Sequence, residues 1–499
     1  NHGLSSVSSR LGYGTNVYDI GTVTSDIIIS KAGEYVSLTT DTVSDKTYFS
    51  NATVSSVTWV DKYDYSLSSS GQQKITASDA ASSDHFGRRC AISGDKMIVT
   101  ASSENSYQGA AYIFTKSGTT WSQQQKLTGS GLSSTGDPQF GHGADISGNY
   151  AIVGAYEEDT DGTNAGGAYI YYFSGGTWAQ QARIVSSDIA AGDNFGYVVG
   201  IDGDYVIVGA HNADPGSKSN AGAAYIFKRS GTSWSQQAKL TASDGVASDN
   251  FGHGVDIEGD YVIVGAKVGE AVYIFKKNTG AETWTQKAIL TASDADDVDY
   301  FGGDVSMSGD YVIVGALGNN SSKGAAYTFK KDTGAETWSE QAKLTASDRG
   351  NSDYFGWSVS IASNLAIIGS PFDDDDGSGS GSAYVFARDG TNWSQQVKLT
   401  ASDAAASDVF GNSVAIEGDF VVVGARGDGS ETGAAYIFQG VNSIPKLDFD
   451  TYNKLSISGI TPTSTTLKYG SNTYDTGTAT TIYIKDAGTY DAEITASDK

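Results

Sequence analysis

Cysteine is nearly absent from this sequence: Cys90 stands alone, so no disulfide within the chain is available to hold it together. Proline occurs five times and methionine twice in 499 residues. Five prolines against 62 glycines point to many tight turns rather than proline-rich linkers. Basic residues number 32 against 58 acidic ones, for a formal charge of −26, which disfavours nucleic acid and anionic membrane as partners. No apolar run reaches 18 residues, so no helical membrane span is expected. The five histidines (His2, His85, His142, His211, His253) have no zinc-ligand spacing, and those beside the repeated Phe-Gly pairs described next are expected to be scattered around the ring by blade symmetry. Neither G-x-S-x-G, H-E-x-x-H nor a P-loop is present, so the expectation is a protein that is not an enzyme and needs no cofactor.

What is abundant is one motif. Phe-Gly pairs begin at Phe86, Phe140, Phe195, Phe251, Phe301, Phe355 and Phe410, at intervals of 50–56 residues. After each comes a run such as VDIEGDYVIVGA (Val255–Ala266), two strand-like segments around a two-residue turn of Gly-Asp or Gly-Asn. The sixth copy has Ser363-Asn364 at the turn, where Asn is the better candidate for positive φ. A third strand of the AAYIF type (Ala110–Phe114) and a fourth of the W-S-Q-Q-x-K-L-T type (Trp234–Thr241) complete the unit, with A-S-D turns between units. Four strands per unit at this period predict propeller blades.

Six units carry a fourth strand; the seventh ends at Phe438 without one. The missing strand stands before the first unit as GQQKIT, Gly71–Thr76, so the ring is expected to close by joining it to the last blade, leaving no open edge. The Asp preceding each Phe-Gly pair (Asp84, Asp137, Asp193, Asp249, Asp299, Asp353, Asp408) is read as a turn-fixing acceptor.

At these residues the chain resembles the FG-GAP β-propeller family, relatives of the integrin α head, over Gln72 to Phe438. The resemblance implies a seven-bladed ring and an adhesive or ligand-binding role. It does not transfer the family's calcium loops, because the first hairpin here has a two-residue turn in place of D-x-D-x-D-G.

The expected architecture is all-β: an N-terminal module (1–60), a seven-bladed propeller (61–440) and a C-terminal module (441–499), the end modules being β-sandwich-like copies of each other. Tyr13–Thr24 (YGTNVYDIGTVT) and Tyr469–Thr480 (YGSNTYDTGTAT) carry the copy, Tyr13 and Tyr18 matching Tyr469 and Tyr474. The copies are truncated on opposite sides, which leaves three arrangements open: two independent small modules, one composite domain, or strand donation between molecules. In the last, Leu447, Phe449, Leu455 and Ile457 would be buried in the next molecule's N-terminal module, giving a head-to-tail homopolymer.

Two acidic loops, Glu157–Asn164 (Asp159, Asp161) and Asp373–Gly377 (Asp373, Asp375), offer the oxygen ligands calcium requires, although acidic loops in so acidic a chain are ordinarily solvated surface. N-glycosylation triplets occur at Asn51, Asn319, Asn320 and Asn392. A chain beginning at Asn is most simply a processed one. The functional expectation is an extracellular or cell-surface structural subunit of a fibre, with a monomeric propeller recognising protein or glycan as the alternative.

Overall fold

A computed structural model describes residues 72–440 apart from 134, 135, 279, 297 and 333, together with the backbone of seven strands nearer the termini. The chain divides into two units, Tyr65–Lys446 and a second made of Asn1–Asp64 with Leu447–Lys499.

The larger unit is a seven-bladed β-propeller, each blade a four-stranded antiparallel sheet in simple sequential order. Blade 4 is representative: Phe251–Glu258, Tyr261–Ala266, Ala271–Asn278 and Thr283–Leu290. The second strands are apolar and buried almost throughout, because both their faces meet protein, as do the first halves of the third strands. Fourth strands alternate between exposed and half-buried residues, as an outer edge requires. Blade 7 takes its first three strands from Phe410–Glu417, Phe420–Ala425 and Ala434–Gln439. Its fourth is Gln73–Ile75, registered as Ala435 with Ile75 and Ile437 with Gln73. The ring therefore closes through the segment expected from the sequence.

The Phe-Gly pair is the joint between blades. Phe251 is wholly buried, its ring edge-on to Tyr273 at 5.3 Å and Phe275 at 6.1 Å, and its N–H donates to Ala221 O of blade 3 at 2.9 Å. Gly252 follows with φ +91°, and a Cβ there would lie 2.4 Å from the carbonyl oxygen of Ala223 in blade 3. A side chain would thus clash with the neighbouring blade's backbone as well as strain its own. The apolar clusters likewise straddle blades: Ile207, Ala224, Ile226 and Leu240 of blade 3 pack with Phe251, Val255, Val264 and Phe275 of blade 4.

The hairpin turns differ from expectation in one respect. Gly259 has φ +57° but Asp260 does not have positive φ, so these turns lack the paired positive φ of type I′. In blade 6 Ser363, not Asn364, takes the left-handed conformation, at φ +57°. The first turn position carries the strain whichever residue occupies it.

The smaller unit contains a five-stranded sheet drawing on both ends of the chain. Val7–Tyr13 lies between Asp491–Ala496 and Val36–Thr39, and Pro462–Tyr469 and Asn472–Asp475 extend it on the C-terminal side. Ser25–Ile27 pairs in parallel with Thr480–Ile482. Tyr13, Tyr469 and Tyr474 lie on these strands, whereas Tyr18, Asn51, Leu447, Phe449, Leu455 and Ile457 fall outside the described residues.

Candidate functional site at the mouth of the axial channel

The first strand of every blade lines the propeller axis, so residues at one register form a ring. At the register below the mouth, the ring is a hydrogen-bonded belt. Asp145 accepts the N–H of Ile201, Asp256 that of Met307, Ser306 that of Ile361 and Ser360 that of Ile416, each reaching the next blade. Two residues further on, Ser147, Asp202, Glu258, Ser308, Glu417 and Ser93 repeat the pattern toward the turn of the following blade. The belt encloses a polar axial cavity of about 170 Å³. Burial pushes the Asp145 carboxyl up to about 7 and that of Asp256 to about 8, each despite accepting two backbone N–H bonds. Arg89 of blade 1 faces Asp304 of blade 5 at 3.7 Å, a bridge between non-adjacent blades. Cys90 is buried there, its thiol pushed up to about 12, as expected for an unreactive core residue.

The residue directly after each Phe-Gly pair is the exception to blade symmetry: Arg88, His142, Tyr197, His253, Gly303, Trp357 and Asn412 in turn. Of the histidines beside these pairs, His85 lies apart, its Nδ1 2.9 Å from Ser103 Oγ, whereas His142 and His253, two blades apart, are joined with His211 through Tyr197. Its ring centroid lies 4.5, 4.1 and 5.0 Å from those of His142, His211 and His253. Tyr156 closes on His142 at 4.4 Å. His142 donates from Nδ1 to Tyr197 O at 3.0 Å and accepts from the Arg88 guanidinium at Nε2, 2.5 Å away. His253 donates from Nδ1 to Gly303 O at 2.9 Å and faces the Tyr197 hydroxyl at 3.4 Å through Nε2. These bonds set one neutral tautomer at both rings. Burial first, then the cations beside them, holds both imidazoles well below their usual value, and burial brings His211 down to about 4. The buried Nδ1 of His211 has no hydrogen-bond partner among the described residues.

Three cations border this cluster: Arg88, Lys267 and Arg426. Among the described residues none has a carboxylate within ion-pair distance. Burial lowers all three, Arg88 to about 10. Arg426 donates from Nε to Asn412 Oδ1 at 3.0 Å, and Asn412 donates to the backbone carbonyl of Arg88 at 3.0 Å, so one amide ties the Arg426 guanidinium to the backbone of blade 1. Trp357, half-buried, stands edge-on to Phe372 of its own blade, blade 6, at 5.7 Å.

The acidic residues singled out in the sequence lie elsewhere. Asp373 and Asp375 do converge, together with Asp348, and the ammonium of Lys398 stands among them at 3.1, 2.6 and 2.9 Å. Burial acts to lower Lys398, but bonds to Asp375, Asp348 and Asp373 outweigh it and hold it above its usual value. Asp161 pairs with Arg183 at 2.6 Å, while Asp159 accepts the N–H of Asn164 at 2.8 Å. A fourth-strand cation meeting the Asp of the preceding A-S-D or S-S-D turn recurs: Lys74 with Asp403, Lys126 with Asp79, Lys239 with Asp188 and Lys343 with Asp294. The Asp before Phe-Gly accepts a backbone N–H three residues back at Asp84, Asp193, Asp249, Asp299, Asp353 and Asp408, the turn-fixing role expected. Asn320 and Asn392 are exposed, whereas Asn319 is buried and bonded to Asp299 and Lys343.

Seven segments, residues 70–114, 121–171, 178–227, 234–281, 284–329, 338–386 and 393–438, match the FG-GAP repeat family. The chain belongs to the FG-GAP repeat family. Each matched segment spans a fourth strand and the next three, so the first begins at the ring-closing strand. No curated protein sequence matches the chain. Among the solved structures matched is a protein from Lactobacillus plantarum, 13% identical, covering 80% of this chain and 98% of its own, at a TM-score of 0.45.

Proposed function

We propose that this FG-GAP propeller is a recognition protein that binds a ligand at the mouth of its axial channel, on or outside the cell, and acts by binding rather than catalysis. The observation that carries this is the ring Arg88–His142–Tyr197–His253–Trp357–Asn412, where chemistry departs from blade symmetry while the Phe-Gly joints on which it stands do not. Packing needs would repeat seven times; polar and aromatic side chains differing from blade to blade fit a ligand that lacks sevenfold symmetry. The test is a glycan and peptide array probed with the full chain and with Tyr197→Ala. Ligands retained by the wild type and lost by the variant, at unchanged melting temperature, support the reading. Ligands held equally by both place recognition elsewhere.

A second reading, a subunit of a head-to-tail fibre, is favoured by the sheet that mixes the two chain ends. Val7–Tyr13 pairs with Asp491–Ala496 within one chain, and the same antiparallel register formed between chains would be strand exchange. Light scattering over rising concentration separates the readings. Growth that disappears on deleting 447–499 supports assembly, and a constant monomer rules it out.

A further inference from the structure

Building on the mouth-binding reading, we propose that the ligand carries a carboxylate, received by Arg88 and Arg426, with its ring or apolar body against Tyr156, Tyr197 and Trp357. In a chain of charge −26, two guanidinium groups and Lys267 stand at the mouth with no carboxylate within ion-pair distance among the described residues, Glu431 and Glu270 acting on Arg426 and Lys267 only from further off, while many other Lys and Arg side chains of the propeller are paired. Holding desolvated cations together costs stability, and nothing in the belt beneath needs them there. The bonds around them also look arranged for a negative group. Asn412 ties Arg426 Nε and the Arg88 carbonyl, and His142 takes an N–H from Arg88, so both planar groups are oriented yet keep donors to spare. A planar guanidinium with free N–H pairs matches a carboxylate in two-point contact. The imidazoles, held neutral by their tautomers, add no competing cation; the unpartnered Nδ1 of His211 offers one more polar contact to the ligand body.

The aromatic groups limit the class further. Tyr156 and Tyr197 stack about His142, the partner of Arg88, and Trp357 follows the Phe-Gly pair of blade 6, next to the blade that carries Arg426, which suits a compact ring or short aliphatic body more than a bare inorganic anion. A sugar acid and the terminal carboxylate of an acylated amino acid both satisfy this chemistry.

Calorimetric titration of the full chain with glucuronate, N-acetyl-leucine, glucose and inorganic phosphate tests the proposal. The expected result is binding of at least one carboxylate, tenfold or more tighter than glucose and phosphate, weakened at least tenfold by Arg88→Gln or Arg426→Gln and less by Arg88→Lys, which keeps the charge but not the planar two-point contact. Glucuronate alone would assign a sugar acid, and N-acetyl-leucine alone a peptide terminus. Each variant must melt within about 2 °C of the wild type; should Arg88→Gln fail that control, Arg426→Gln decides. No carboxylate binding, or phosphate binding as tight, overturns the carboxylate assignment while the mouth reading stands or falls on the array with Tyr197→Ala. Carboxylate binding indifferent to both arginine variants and to Tyr197→Ala overturns both.

Discussion

Replacing Asp256 by Asn turns the hydrogen-bonded belt into a measurement. Asp256 accepts Ile257 N–H on one oxygen and Met307 N–H on the other, both at 2.8 Å, and so ties blade 4 to blade 5. Burial raises its carboxyl from 3.8 to about 8, so between pH 4 and 8 the folded protein keeps a proton that the unfolded chain has released. The sign follows: this stability is complete below about pH 4 and is lost progressively as pH rises through about 8. At roughly 1.4 kcal/mol per pH unit, the full loss is on the order of 5 kcal/mol. Asn cannot ionise, but it has one acceptor oxygen where the acid has two, which costs about 1–3 kcal/mol at every pH. The two stability curves should therefore cross at about pH 5–6, the wild type being the more stable below and the variant above. Denaturant unfolding followed by tryptophan fluorescence at closely spaced pH values from 4 to 9 measures both. Repulsion within so acidic a chain is common to both proteins and cancels in the difference. A difference that stays constant across this range would refute the assignment of a protonated Asp256 in the folded ring.

Phe251→Ala removes a wholly buried ring from a joint between blades and should cost about 3–5 kcal/mol, read from denaturant midpoints. Removing Gln73–Ile75 leaves Ala434–Gln439 as an open edge, so the unfolding transition should broaden and its m-value fall. Chelator should leave the melting temperature of the wild type unchanged, because the ammonium of Lys398 already stands among Asp348, Asp373 and Asp375. Lys398→Met should lower stability by about 3–5 kcal/mol by leaving the buried Asp373 uncompensated, and added calcium should restore part of it; a variant as stable as the wild type would count against the ion cluster.

The propeller was legible in the sequence because its determinants repeat. Phe-Gly joints, Asp-fixed turns and the strand missing after Phe438 recur or fail at fixed intervals, and each has one structural meaning. The channel mouth was hidden for the same reason. Arg88, His142, Tyr197 and His253 read along the chain as unrelated residues 54–56 positions apart, and they meet because the inner strand ends of neighbouring blades converge on one axis. Reading the repeats as aligned columns, and asking which column next to an invariant pair varies, is the signal that would have found them. The acidic loops misdirected attention for a different reason: carboxylate spacing shows where a cation can sit, not that a lysine from the fourth strand is already there.

Closing the ring with Gln73–Ile75 also gives the protein a clock. That strand leaves the ribosome before any blade exists, and its partner Ala434–Gln439 begins about 360 residues later. At about 5–20 residues per second, the first-made strand waits roughly 20–70 s for the last-made one. Six blades can assemble in order meanwhile, each on the edge of the one before, but the circle cannot shut until Ala434–Gln439 has been made. A strand only three residues long with Lys74 at its centre is a poor template for stray pairing during that interval. Closure of the ring is thus a meeting of its first-made and last-made strands, and its rate should depend on how long the growing chain keeps the two within reach.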